Sequence, residues 1–244
     1  MTAYEETAAF FDGTADVYDD WFLRDVHYRE LLGALVYRLQ TYDPSHVLEL
    51  GCGTGNLSFL LANTFPQASI KAVDISQELL GQAATKCAAM PNLTLTLQDM
   101  LSAVEDLPDG GCVIANYSLH HLVDAEKVLL CQRLGEGLKP GNAALIGDVF
   151  YPPPPQSDER GRAGAVLDLF HARASYYLSQ VGLDRCVFEV EHLPLVLERR
   201  REHLVEQSYW SQLAPEHGLR ASTDEAVGPK ELGNFLVELV PDGI

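Results

Sequence analysis

Basic side chains are scarce in this chain of 244 residues: 17 lysines and arginines face 35 aspartates and glutamates, for a formal net charge of −18. A surface of that sign repels a phosphate backbone and argues against nucleic acid as a partner. The one dense basic cluster, Arg199-Arg200-Arg201, reads as a solvated helix face. Long apolar runs are missing too, so no segment reaches the length that crosses a bilayer. The opening MTAYEETAAF has neither the basic start nor the apolar stretch of a secretory leader. The five cysteines, Cys52, Cys87, Cys112, Cys131 and Cys186, form no C-x-x-C pair. They read as reduced, buried thiols of a cytoplasmic protein, and no metal site is expected from them. Oligomeric state is left open, and a homo-oligomer is compatible with the sequence.

What is present is alternation. Hydrophobic residues make up 47% of the chain, enough for one large domain with a buried core. From residue 47 onward, short apolar runs alternate with helical patterns, as in a parallel sheet covered by helices. HVLELG, SIKAVDIS, LTLTLQD, GCVIANYSL and AALIGDVF are expected as five strands. NLSFLLANTF, QELLGQAATKCAAM and AEKVLLCQRLGEGL are the helices between them, closed by Pro66, Pro91 and Pro140-Gly141. YPPPPQ then interrupts the pattern as a stiff spacer. GRAGAVLDLFHARASYYLSQVG follows with helical periodicity, and EQSYWSQLAPEHGL reads as the last covering helix. GLRASTDEAV and ELGNFLVELV close the sheet. The expected organisation is a helical cap over residues 1–40, a ligand-binding core over 41–150, a helical lid over 151–205 and a return to the core over 206–244.

The segment VLELGCGTGN, Val47 to Asn56, places three glycines directly behind the first strand. Such a turn lets backbone approach a ligand, either a dinucleotide or S-adenosylmethionine (SAM). The dinucleotide fingerprint G-x-G-x-x-G/A fails, because its last small position, counted from Gly51, is Asn56. Glu49 beneath the loop would repel a pyrophosphate but attract the sulfonium and ammonium of SAM. Asp74, after the second strand, is placed for the ribose hydroxyls, and Asp99, after the third, for the adenine amine. Ile75 and Met100 can sandwich the adenine ring, and Asn116 can meet the methionine portion.

VLELGCGTGN, AVDIS, LTLQDM, IANYSLHHL and LKPGNAALIGD, in this order and spacing, resemble the class I SAM-dependent methyltransferases. The resemblance implies a doubly wound, Rossmann-like α/β fold with a seven-stranded, mostly parallel sheet. It implies SAM as cofactor, bound by Glu49, Gly51, Gly53, Gly55, Asn56, Asp74, Ile75, Asp99, Met100 and Asn116. FDGTADVYDDW is similar to the N-terminal cap of small-molecule members, where Tyr18 would close over the methionine end. Pro140-Gly141-Asn142 departs from the usual P-G-G turn, away from the chemistry.

His120 and His121, after the fourth strand, are the candidate proton acceptors, with Tyr18 beside them as the third catalytic candidate. Tyr176, Tyr177 and His192 are the substrate-binding candidates of the lid. The expected activity is methyl transfer to a small molecule, by positioning and desolvation. Three rivals stand beside it: a carboxy-SAM synthase-like enzyme, a SAM-binding subunit without turnover, and an NAD-dependent oxidoreductase. SYWSQLAPEHGL has no arginine to hold the extra carboxylate of the first rival.

Overall fold

The computed structural model describes residues 9–10, 12 and 19–243. Seven strands form one sheet: β1 (His46–Leu50), β2 (Ser69–Asp74), β3 (Leu93–Leu97), β4 (Gly111–Asn116), β5 (Ala144–Val149), β6 (Leu219–Ala226) and β7 (Asn234–Pro241). Their spatial order is β3-β2-β1-β4-β5-β7-β6. β1 pairs in parallel with both β2 and β4, so the chain reverses its direction of winding there. A crevice opens at the carboxyl ends of the strands on either side of such a reversal. β7 alone runs antiparallel, between β5 and β6.

The central strands are buried on both faces, which is why they read as continuous apolar runs. Alternate residues feed two cores. Val47, Ile114 and Leu145 pack under helices α1 (Val26–Leu39) and α2 (Asn56–Thr64) through Leu31, Leu35 and Leu61. Leu48, Leu50, Val113 and Ile146 face the other way, against Leu130 and Leu134 of α5 (Asp124–Gly137) and against Trp210. Helix α3 (Gln77–Lys86) follows β2, and a short α4 (Met100–Glu105), absent from the sequence expectation, follows β3.

Beyond β5 and the proline spacer stand α6 (Glu159–Gln180) and α7 (Leu183–Leu197), packed against each other. Asp158 starts α6 by accepting a hydrogen bond from Gly161 N at 2.7 Å. Two expectations need correction. Arg199-Arg200-Arg201 is not a helix face: α7 ends at Leu197, and Arg199 and Arg201 take φ of 52° and 62° in the turn beyond. Arg199 pairs with Asp124, and Arg201 stacks on Phe10 at 4.5 Å. The expected last covering helix shrinks to α8 (Tyr209–Leu213) and a 3-10 turn containing Pro215. No helix among the described residues is long and apolar enough to cross a membrane.

Helix α1 sets the N-terminal part of the chain over β5. Leu35 is 0% exposed, and its Cδ1 lies so close to Gly147 that a Cβ built there would sit 2.7 Å away. Leu35→Ala is expected to cost about 2–5 kcal/mol by leaving a cavity in this contact. Urea unfolding should show a lowered midpoint with an unchanged m-value.

Candidate functional site: a glycine loop between three cavities

The loop after β1 is shaped by backbone that L-residues rarely adopt. Gly51 has φ of 70°, and a Cβ on it would meet Ser118 Cβ at 2.5 Å. Gly55, the residue before α2, has φ of 79°, and its Cβ would meet Ala83 Cβ at 2.9 Å. These two glycines let the loop pass between the C-terminal half of α3 and the residues just beyond β4. Gly53 between them faces open space and donates its N–H to Asp74 Oδ2 at 2.7 Å. The other Asp74 oxygen accepts from Ser76 N at 2.9 Å. Burial raises the pKa of Asp74 against these backbone hydrogen bonds.

Gly51 and Gly53 line two adjoining cavities. The first also has Asp74, Ile75, Met100, Gln98 and Tyr117 in its wall. Asp99 is not among its lining residues: its carboxylate caps α4, accepting from Ser102 N at 3.0 Å. The second cavity is polar and brings together Glu49, Asn116, Asn56 and Tyr28. Glu49 is 2% exposed and accepts from Ser58 Oγ at 2.5 Å. Burial pushes its pKa up to about 8, despite that hydrogen bond. Asn116 Oδ1 is buried with no hydrogen-bond partner among the described residues. An unpaired acceptor beside a buried carboxylate calls for a cationic N–H donor. The α-ammonium of SAM is such a group, so these residues fit that cofactor.

Two N-terminal carboxylates contact residues around these cavities. Asp19 accepts from Thr54 Oγ1 at 2.5 Å, Asn56 Nδ2 at 2.9 Å and Lys86 Nζ at 2.6 Å. Asp12 accepts from Ser76 Oγ at 2.5 Å at the start of α3. Asn56 thus spends its amide on the cap as well as lining the cavity. Tyr18 lies outside the described residues.

A third cavity of about 610 Å³, its open mouth included, meets the first through two shared residues, Tyr117 and His121. Tyr117 holds a left-handed φ of 52°, a strained conformation for an aromatic residue. Its hydroxyl donates to Asn234 Oδ1 at 2.6 Å. His120 stands at the same wall, its Nδ1 2.5 Å from Asp148 Oδ1 and its Nε2 3.5 Å from Glu202 Oε2. Burial opposes charge on His120, but Asp148 outweighs it and the pKa is raised. Burial, reinforced by His120, pulls His121 well down. Burial lifts Glu202 to about 7 against the pull of His120. The cysteine pattern suggested no metal site, yet the fold brings ligand-capable atoms of His120, His121 and Glu202 within 4.8 Å of one another.

Of the three lid residues singled out from sequence, His192 lines the third cavity. Tyr177 sits behind it, holding two arginines by its hydroxyl. Tyr176 instead donates to Asp25 Oδ1 at 3.0 Å. Sequence reasoning missed Asp148, Glu202, Arg173 and Arg185. Asp148 lay within the quoted LKPGNAALIGD segment, but no local pattern tied it to His120.

Comparisons with known proteins agree with this geometry. Residues 47–141 match the family model described as a methyltransferase domain. The chain is 32% identical over 116 residues to a malonyl-[acyl-carrier protein] O-methyltransferase of Halalkalibacterium halodurans, covering 45% of this chain and 42% of that protein. It is 30% identical over 112 residues to a trans-aconitate 2-methyltransferase of Variovorax paradoxus, covering 46% and 41%. A carboxy-S-adenosyl-L-methionine synthase of Campylobacter concisus is 27% identical over 143 residues, covering 57% and 60%. The chain thus spans less than half the length of the first two relatives it matches. The Synechocystis magnesium protoporphyrin IX methyltransferase with bound SAM superposes with a TM-score of 0.62 at 15% identity, covering 99% of this chain and 98% of that one. That likeness shows the fold.

The raised pKa of Glu49 carries a sign. With an ordinary carboxyl near 4.5 and this one near 8, the ligand-free protein holds a proton there through most of that window. A cation bound beside Glu49 favours the carboxylate and expels the proton, so SAM affinity is expected to rise with pH below 8, by up to about tenfold per unit. Calorimetry in buffers of different ionisation enthalpy should register the released proton. Glu49→Gln should flatten both the slope and the release.

Proposed function

We propose that this chain, whose residues 47–141 match the methyltransferase-domain model, is a class I SAM-dependent methyltransferase that transfers a methyl group from SAM to a small-molecule acceptor seated in the third cavity. One observation carries the reading: the cavity that fits the nucleoside and the cavity beyond it share Tyr117 and His121, so their contents meet. SAM, when bound, supplies a methyl group on an electron-poor sulfonium. Everything else falls to this chain.

In this reading Asp74 accepts the ribose hydroxyls with the lone pairs its backbone bonds leave free. Ile75 and Met100 flank the adenine, and Asp99, beside Met100 at the start of α4, is assigned to the adenine amine. Glu49 and Asn116 hold the ammonium, and the turn through Gly51, Gly53 and Gly55 leaves room for the chain of atoms between. The N-terminal segment, held to the glycine turn by Asp19 and to the start of α3 by Asp12, is assigned the exclusion of water. Helices α6 and α7 form the lid on the acceptor side, with His192 in its wall. A hydroxyl or carbon acceptor must also lose a proton. His120 and Glu202 stand where it would go, and Asp148 positions the imidazole. The relatives named for malonyl-[acyl-carrier protein] and trans-aconitate support an acceptor outside the nucleic-acid class, as does the acidic surface.

Incubation of the purified protein with SAM and an acceptor panel, followed by detection of S-adenosylhomocysteine, tests the proposal. Tight binding of SAM with no turnover across all acceptor classes would leave a binding subunit instead. Comparable affinity for NADH would point to the dinucleotide reading. With a turned-over acceptor in hand, the rate is expected to rise with pH through about 7 as Glu202 ionises. Glu202→Gln should remove that inflection and lower kcat by about 10²- to 10⁴-fold, with SAM affinity unchanged. An unchanged kcat would assign the cluster a structural role and mark the acceptor as one already ionised.

A further inference from the structure

The third cavity holds a guanidinium that the fold leaves one acceptor short. Arg173 and Arg185 both line it, with Glu189 between them. Glu189 accepts from Arg173 Nε with one oxygen and from Arg185 Nη1 at 2.8 Å with the other. Glu189 is shared between the two guanidinium groups, and Glu202, the other carboxylate in the wall, lies beside the histidines instead. The two arginines divide the work unequally. Every nitrogen of Arg173 is engaged: Nε with Glu189, Nη1 with Leu232 O at 2.8 Å and Asn234 Oδ1 at 3.1 Å, Nη2 with Tyr177 Oη at 2.7 Å. Arg173 is therefore a structural tie between lid and sheet. Arg185 is 2% exposed, yet its Nε is buried and has no hydrogen-bond partner among the described residues.

A buried guanidinium nitrogen without an acceptor is costly, and such groups are normally paired. Rings enclose this one, with Phe22, Tyr177 and Phe188 centred 5.0, 4.1 and 5.0 Å from Arg185 Cζ. They favour the cation and keep water from it. The arrangement is a guanidinium held in place, desolvated and short of one acceptor.

We infer that Arg185 anchors a carboxylate of the ligand in this cavity, an inference that rests on the methyltransferase reading for what the ligand undergoes. One open N–H on a cation enclosed by rings suits a single carboxylate oxygen. The protein's net charge of −18 makes this a local device rather than part of a general attraction for anions. The carboxylate can come from the acceptor itself or from a carboxyl group carried on the sulfonium of the cofactor. SYWSQLAPEHGL has no arginine to serve the second source, but α7 supplies one.

The experiment measures binding to the wild type and to Arg185→Gln and Arg185→Lys, with affinity for S-adenosylhomocysteine as the check on folding. On the wild-type S-adenosylhomocysteine complex, acetate and malonate should bind in preference to acetamide and malonamide, observed by ligand NMR. Loss of that preference by about 10- to 100-fold in Arg185→Gln, with partial retention in Arg185→Lys, would establish the acceptor as the source. Tighter binding of carboxy-SAM than of SAM, lost in Arg185→Gln, would establish the cofactor as the source. The inference is overturned if wild type shows neither preference, or if a preference survives in Arg185→Gln. Should Arg185→Gln not fold, the wild-type comparison of acids with amides decides alone. Failure of the wild type to bind SAM or S-adenosylhomocysteine would strike the methyltransferase reading instead, and the acid-against-amide comparison on the free protein would still judge Arg185.

Discussion

The carboxylate of Asp74 takes one hydrogen bond from Gly53 N and one from Ser76 N, and so joins the turn after β1 to the start of α3. That junction holds the glycine turn in a shape with three left-handed residues, which would otherwise have little reason to persist. The turn in turn presses Gly51 against Ser118, whose hydroxyl donates back to Leu50 O at 2.7 Å. Ser118 follows the strained Tyr117 and precedes the histidine pair. The crevice at the point where the sheet reverses, the wall between the cavities and the placement of His120 and His121 all follow from one short chain of contacts around Asp74.

Charge is distributed against intuition in this molecule. A strongly acidic surface surrounds an interior that holds Lys127, Arg162, Arg173 and Arg185. Buried acids meet some of these cations, and backbone carbonyls meet others: Lys127 Nζ donates to His203 O at 2.9 Å. Glu189, between its arginines, shows the effect plainly. Burial would raise its pKa, but Arg173 and Arg185 overcome that and hold it at about 2. Glu49 accepts from the Ser58 hydroxyl, and Glu202 feels only the outweighed pull of His120 and Arg201, so burial lifts them to about 8 and about 7. The contrast separates structural acids, already compensated within the fold, from acids poised to respond to a ligand or a proton.

Two of the three buried unpaired side-chain atoms among the described residues fall at the cavities, while the third, His217 Nε2, lines none of them. Tyr117 has its left-handed backbone there, Asn116 its unpaired oxygen, and Arg185 its unpaired nitrogen in the cavity beyond. A fold that satisfies most of its buried polar groups leaves such exceptions where a ligand completes them. The cap reinforces this, since Asp19 binds Thr54, Asn56 and Lys86 together over the glycine turn.

The doubly wound sheet and its ligand turn were legible in the sequence because they are written locally. Apolar runs of strand length, proline and glycine stops, and three glycines after β1 each depend on neighbours a few residues away. The third cavity was not legible, because its lining joins distant segments. His120 meets Asp148 across 28 residues, and Arg173 meets Asn234 across 61. Only packing decides the rotation of α6 and α7 about their axes, and with it which arginines face inward. The same limit explains Arg199-Arg200-Arg201: charge pattern suggests a helix face, but where α7 ends is settled by the turn that brings Glu202 to the histidines. Periodicity records how a segment folds on itself, whereas a site is made by which segments are then buried against one another.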